Sequence, residues 1–136
     1  MKIKNPGQYT VHDDYNVVQV VGTGKGVIIT MTGGTVRTFG SSAPVILQSR
    51  GYVSTWGSSA PFINMTGGEV STWDSSAPVI HQSGGEVRTR ESSAPVITMT
   101  GGEVWTLDSS APVIHQIGGY VWTWEKSAPV IHKIKN

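Results

Sequence analysis

Five tryptophans and the arginines spaced among them are the residues best suited to surface chemistry. Phe39, Trp56, Trp73, Arg90, Leu107 and Trp124 recur every 17 residues, and Arg37, Ser54, Ser71, Arg88, Trp105 and Trp122 form a parallel series two positions earlier. Tyr52 and Tyr120 stand two positions before that, in line with Glu69, Glu86 and Glu103. Aromatic rings in a flat array suit sugars, whose C–H faces stack on indole. They suit a protein contact equally, since Trp, Tyr and Arg are enriched where chains meet.

Other chemistry fits less well. His81, His115 and His132 share one series with Leu47, Asn64 and Thr98. Neighbouring imidazoles about 5 Å apart could share a metal, but without a carboxylate beside them they read as an outward polar column, and no metal or other cofactor is expected. Glu69, Glu86 and Glu103 resemble the paired carboxylates of glycoside hydrolysis, which stand about 5–9 Å apart. Nothing marks one as acid and another as base, and no unit carries an insertion to build a cleft. Repetition this regular makes surfaces rather than pockets, so the chain reads as a non-enzyme. Gly22-Thr23-Gly24-Lys25-Gly26 approaches phosphate-loop composition, but Gln19 stands where the first glycine is needed and Gly26 where the hydroxyl is needed. It reads as a turn equivalent to Gly40-Ser41-Ser42-Ala43.

The elements that must hold these side chains follow from the repeat. Residues 33–134 divide into six units of 17 residues without insertion, typified by Gly-Gly-Glu-Val-Ser-Thr-Trp-Asp-Ser-Ser-Ala-Pro-Val-Ile-His-Gln-Ser at 67–83. Ile29-Thr30-Met31-Thr32 repeats Ile97-Thr98-Met99-Thr100, which extends a degenerate unit back to about residue 16. Residues 1–15 are expected to be an irregular leader or cap, and 135–136 a short end. Each unit holds two strand signals, x-Val-x-Thr-x and Pro-Val-Ile-x-x-x, separated by Gly-Gly and by Gly/Asp-Ser-Ser-Ala turns. Prolines at a fixed place in the unit argue against helix. The fold class is all-β.

Columns distinguish inside from outside. Val36, Val53, Val70, Val87, Val104 and Val121 never vary, nor do the threonines two residues on or the Ile46, Ile63, Ile80, Ile97, Ile114 and Ile131 series. Side chains alternate across a strand and packed interiors tolerate little change of volume. The invariant set therefore lies inside and the Trp/Arg set outside. Equal unit lengths favour a single-domain parallel β-solenoid of about seven coils, in which like residues stack at about 4.8 Å. The alternatives are an antiparallel meander with Gly-Gly hairpin loops or a β-prism-like arrangement. The latter would suit the 34-residue alternation of Met31, Met65 and Met99 with Gln48, Gln82 and Gln116, although duplication of a doubled unit would also produce it. Stacking Glu69, Glu86 and Glu103 is unfavourable by a few tenths of a kcal/mol each.

Composition narrows the partners. Of 136 residues, ten are Lys or Arg and nine Asp or Glu, a net charge of +1 that offers no basic patch for nucleic acid or an anionic membrane. There is no cysteine, which excludes disulfides and a thiol nucleophile. No apolar run approaches the ~20 residues of a membrane span. The first ten residues lack the apolar core of a secretory signal.

The string Ser-Ser-Ala-Pro-Val-Ile-x-x-x-Gly-Gly-x-Val-x-Thr resembles the coils of parallel β-helix repeat proteins found in bacterial surface adhesins, autotransporter passengers and phage tail or fibre proteins. The likeness covers about residues 33–134. It implies a structural or attachment role at a virion or cell surface, and a virion component would need no secretory signal. Ice binding would require the Val/Thr columns to face water, which would force Arg37, Arg88 and several tryptophans into a narrow interior at several kcal/mol. That reading is set aside. Lys2-Ile3-Lys4-Asn5 and Lys133-Ile134-Lys135-Asn136 read as charged caps that blunt the strand edges. The expectation is a discrete particle that associates with itself or another surface protein through Phe39, Tyr52, Trp56, Trp73, Arg88, Arg90, Trp105, Tyr120, Trp122 and Trp124. The alternative is a carbohydrate-binding protein using the same face.

Overall fold

A computed structural model of the chain describes residues 1–12, 16–124 and 126–134. Among them are fourteen strands and no helix: β1 (Lys2–Ile3), β2 (Gly7–Val11), β3 (Val17–Val20), β4 (Val27–Thr38), β5 (Val45–Thr55), β6 (Phe62–Met65), β7 (Glu69–Thr72), β8 (Val79–Gln82), β9 (Glu86–Thr89), β10 (Val96–Met99), β11 (Glu103–Thr106), β12 (Val113–Gln116), β13 (Tyr120–Thr123) and β14 (Val130–Lys133). Pairing is parallel, and along the regular repeat each residue meets the one 17 positions on, as in Val70 with Val87 and Ile80 with Ile97. The chain is a β-solenoid. Hairpin pairing is absent from the described strands because the Gly-Gly corner turns the chain onto the next coil instead of folding it back.

There are about eight turns rather than seven. The segment expected as an irregular leader supplies β1, paired with β3 in register Ile3 to Val20, and β2, paired with β4 in register Val11 to Met31. Ile3 and Val11 are buried in the common core. Their unit escapes detection because its strands obey the inward pattern without the Gly-Gly and Ser-Ser-Ala-Pro punctuation. Asp13–Tyr15 of that segment, and the 135–136 end, lie outside the described residues.

The invariant columns lie where alternation puts them. Val36, Val53, Val70, Val87 and Val104, with Ile46, Ile63, Ile80, Ile97 and Ile114, are fully buried. The threonines beside them are buried as well and form a polar ladder. Thr38, Thr55, Thr72, Thr89 and Thr106 each meet the hydroxyl of a serine one coil on (Ser59, Ser76, Ser93, Ser110 and Ser127) at 2.7–2.9 Å. A buried hydroxyl needs such a partner. Val20 occupies the place of Thr38 one coil earlier, and Ser42 Oγ is consequently buried without a partner. Val20→Thr is expected to raise stability by about 0.5–1.5 kcal/mol, measured by urea denaturation, whereas Val36→Thr, with no serine opposite, is expected to lower it.

The 34-residue alternation has a structural cause. Gln48 Nε2 donates to the carbonyl of Gly51 in its own corner (2.9 Å) and of Glu69 in the next coil (3.0 Å), and Gln82 does the same with Gly85 and Glu103, both at 3.0 Å. Each glutamine thus ties two corners. In the intervening coils a methionine methyl fills the corner, with Met65 Cε 2.9 Å from where a Cβ on Gly85 would stand.

The other turn requires a left-handed residue at one position. Gly40 and Gly57 supply it first, then Asp74, Glu91 and Asp108 at φ 54–56°. Two aspartates offset the strain by reaching to the preceding coil, Asp74 to the Gly57 amide (2.8 Å) and Asp108 to the Glu91 amide (2.9 Å). Gly22, Gly24 and Gly26 likewise have positive φ in the turn between β3 and β4, the role expected for that glycine-rich run.

Candidate functional site

The outward face of the first strand carries three columns. Register aligns Tyr52, Glu69, Glu86, Glu103 and Tyr120 in the first, and Ser54, Ser71, Arg88, Trp105 and Trp122 in the second. The third, Phe39, Trp56, Trp73, Arg90, Leu107 and Trp124, is aligned by amides that donate to carbonyls of the coil before, Val20 for Phe39 and threonines for the rest, as from Trp73 to Thr55 (2.8 Å) and from Arg90 to Thr72 (2.9 Å). All the expected face residues are therefore on one side, but they do not act as one array.

Trp56 and Trp73 stack with centroids 4.9 Å apart and planes 1° from parallel, a separation set by the strand spacing. Their indoles lie across the small Ser54 and Ser71, which are outward residues yet only 2% and 4% exposed. Trp56 Nε1 donates to Ser54 Oγ at 2.9 Å. The Arg90 guanidinium caps the stack 4.9 Å above the Trp73 ring, a contact favourable by about 0.5–2 kcal/mol. The second group is Trp105, which stacks on Trp122 at 5.6 Å and on Trp124 at 6.2 Å. Here the third column holds Leu107, and the large ring comes from the second column instead. Tyr52 and Tyr120 stand apart, with the three glutamates between them in the first column. Phe39 is half-buried and Arg37 exposed, on the coil before Tyr52.

The glutamate column is tied down by its neighbours. Arg88 Nε donates to Glu86 Oε1 at 2.9 Å, and that hydrogen bond, ahead of an opposing desolvation effect, raises the arginine above its ordinary pKa. Trp105 Nε1 donates to Glu103 Oε2 at 3.3 Å. The like-charge stack expected from the sequence is present in register, and these two contacts offset part of its cost.

A depression of about 380 Å³ opens between Arg88, Arg90, Trp105, Leu107 and Trp124. It continues past Leu107 into a second of about 620 Å³, bounded by Arg90, Asp108, Ser109, Trp124 and Lys126. Its origin is size: Leu107 falls between Arg90 and Trp124 in a column otherwise built of long or flat side chains. Leu107 stood in the outward column of the sequence, but the gap beside it was not foreseen. The signal was there, as one short residue in a column of large ones.

The second strand presents another outward face. Alternation places Phe62, Val79, Val96 and Val130 on it, beside the His81, His115 and His132 column. His115 and His132 stack at 5.2 Å, and Phe62 meets His81 at 5.0 Å. Among the described residues no group of three or more His, Cys, Asp or Glu could hold a metal ion. The valine ridge went unremarked in the sequence because a repeated Val beside a repeated Ile looks like core until the alternation is applied.

Comparison with protein-family models, with curated proteins and with solved structures finds no match to this chain.

Proposed function

We propose that the chain is a non-catalytic attachment module, a virion or bacterial-surface component of the adhesin or tail-fibre kind, that associates with copies of itself or with another surface protein through its Trp/Arg face. The observation that carries this reading is the outward cluster of stacked indoles at Trp105, Trp122 and Trp124 beside Leu107. Contiguous exposed aromatic surface of this kind marks interaction sites, and tryptophan contributes most where proteins dock. The coil stack supplies rigidity, because each turn is held to the next by continuous parallel pairing and by the Thr–Ser ladder. Trp122→Ala combined with Trp124→Ala is expected to convert an oligomer to a monomer in sedimentation velocity. A wild-type chain already monomeric at all accessible concentrations, and blind to candidate surface partners, would overturn it.

Carbohydrate binding is a second reading, favoured by one observation. Trp56 and Trp73 turn ring faces on each other and Arg90 covers the other face of Trp73, but the depression beside Leu107 brings apolar walls together with hydrogen-bonding groups at a scale suited to small ligands.

A further inference from the structure

We infer that the depression at Leu107 is a subsite for a carboxylated sugar, a uronic-acid unit within a polysaccharide. The inference rests on the carbohydrate reading, and the subsite shares Trp105 and Trp124 with the proposed association surface. Three features of the site select that chemistry.

The first is charge. Arg88 and Arg90 both line the narrower part, two residues apart on one face of a strand and so about 6.6 Å apart along it. Arg88 commits its Nε to Glu86, which leaves its terminal NH groups for a ligand. Arg90 places its Cζ 4.9 Å over the Trp73 ring centroid, and among the described residues its terminal NH groups make no side-chain ion pair. A planar donor fork packed on a ring matches a carboxylate, and binding one loses little further rotamer freedom.

The second feature is the floor and walls. Leu107, Trp105 and Trp124 present hydrocarbon and ring surface to a body of pyranose size, while the far side offers Asp108, Ser109 and Lys126 to hydroxyls. An anion alone would have no use for the apolar floor, and a purely apolar ligand would leave Arg90 unpaired.

The third feature is shape. The site is open to solvent rather than enclosed, and Leu107, Arg90 and Trp124 border both depressions. An internal unit of a linear polymer can lie in it with the chain leaving at both ends.

The test is isothermal titration and indole-region NMR of the Trp122→Ala protein, which keeps every lining residue while weakening the association surface. The ligands are oligogalacturonate and the neutral galactose oligomer of the same linkage and length. The acidic oligomer is expected to bind at least tenfold more tightly and to shift the Trp105 and Trp124 indole resonances. Arg90→Met, which keeps a side chain packed on Trp73, is expected to abolish that preference. Leu107→Trp restores a ring of the kind this column accepts at 56, 73 and 124, and is expected to abolish binding with circular dichroism unchanged. Equal binding of both oligomers would overturn the inference while leaving the carbohydrate reading in place, and binding of neither would overturn both. Binding that survives Leu107→Trp would overturn the location.

Discussion

Replacing Val87 by asparagine is expected to destabilise the protein by about 3–5 kcal/mol, whereas the same asparagine one residue later, at Arg88, is expected to change stability by less than about 1 kcal/mol. Val87 is fully buried, in register between Val70 and Val104. Asparagine there forfeits about 2 kcal/mol of apolar burial and brings in an amide with only valines above and below it, at about 1–3 kcal/mol. Arg88 points to the opposite side, and its ion pair with Glu86 is partly solvated, with the two side chains 42% and 23% exposed. Such pairs contribute about 0–1 kcal/mol. Urea denaturation of the two variants measures the contrast directly. Comparable losses at both positions would refute the assignment of inner and outer columns. Because each coil touches only its neighbours, the Val87→Asn transition is also expected to broaden, as coils on one side of the defect hold longer than those on the other.

Gly85→Ala is expected to cost about 3–5 kcal/mol, against about 1–2 kcal/mol for Gly40→Ala. Both glycines have positive φ, +81° and +59°, so both variants carry the left-handed strain of an L-residue. Space separates them. A Cβ on Gly85 would stand 2.5 Å from the Gly68 carbonyl oxygen and 3.0 Å from the Gly67 carbonyl carbon, both backbone atoms of the adjacent coil, while at Gly40 nothing lies within 4 Å. The Gly68 oxygen already accepts the Glu86 amide at 3.0 Å, so an added methyl must push the coils apart and break that bond. Thermal denaturation decides the matter, and equal midpoints for the two variants would show that the Gly-Gly corner has room to spare.

Much of this architecture was legible in the letters. An invariant Val, Thr and Ile at one spacing, with Arg admitted only in the intervening column, specifies which side of each strand is buried, because core volume is constrained and solvent is not. The parallel sense followed from equal unit lengths, since a coil of different length would slip against its neighbours. The Trp/Arg residues were placed correctly on one outward face by the same alternation.

Three features were not legible. Residues 1–12 form a coil without repeating its sequence, since a parallel rung asks only for inward residues such as Ile3 and Val11 opposite Val20 and Met31. The Met/Gln alternation looked like a relic of duplication until Gln48 and Gln82 were seen to bind corners on two coils at once. The aromatic face looked flat, yet Trp56 and Trp73 stack on each other and the open site lies at Leu107.

The sequence by itself determined the period, the all-β class, the inward columns and the side on which the aromatic residues emerge, because each depends on identical residues meeting identical residues one coil away. Only the tertiary structure decided how the outward side chains arrange themselves. There the neighbours differ from coil to coil, and whether an indole lies over a serine, stacks on another ring or leaves a gap beside a leucine is set by the volume and rotamer of the residue next to it in space, 17 or 19 positions away in the chain.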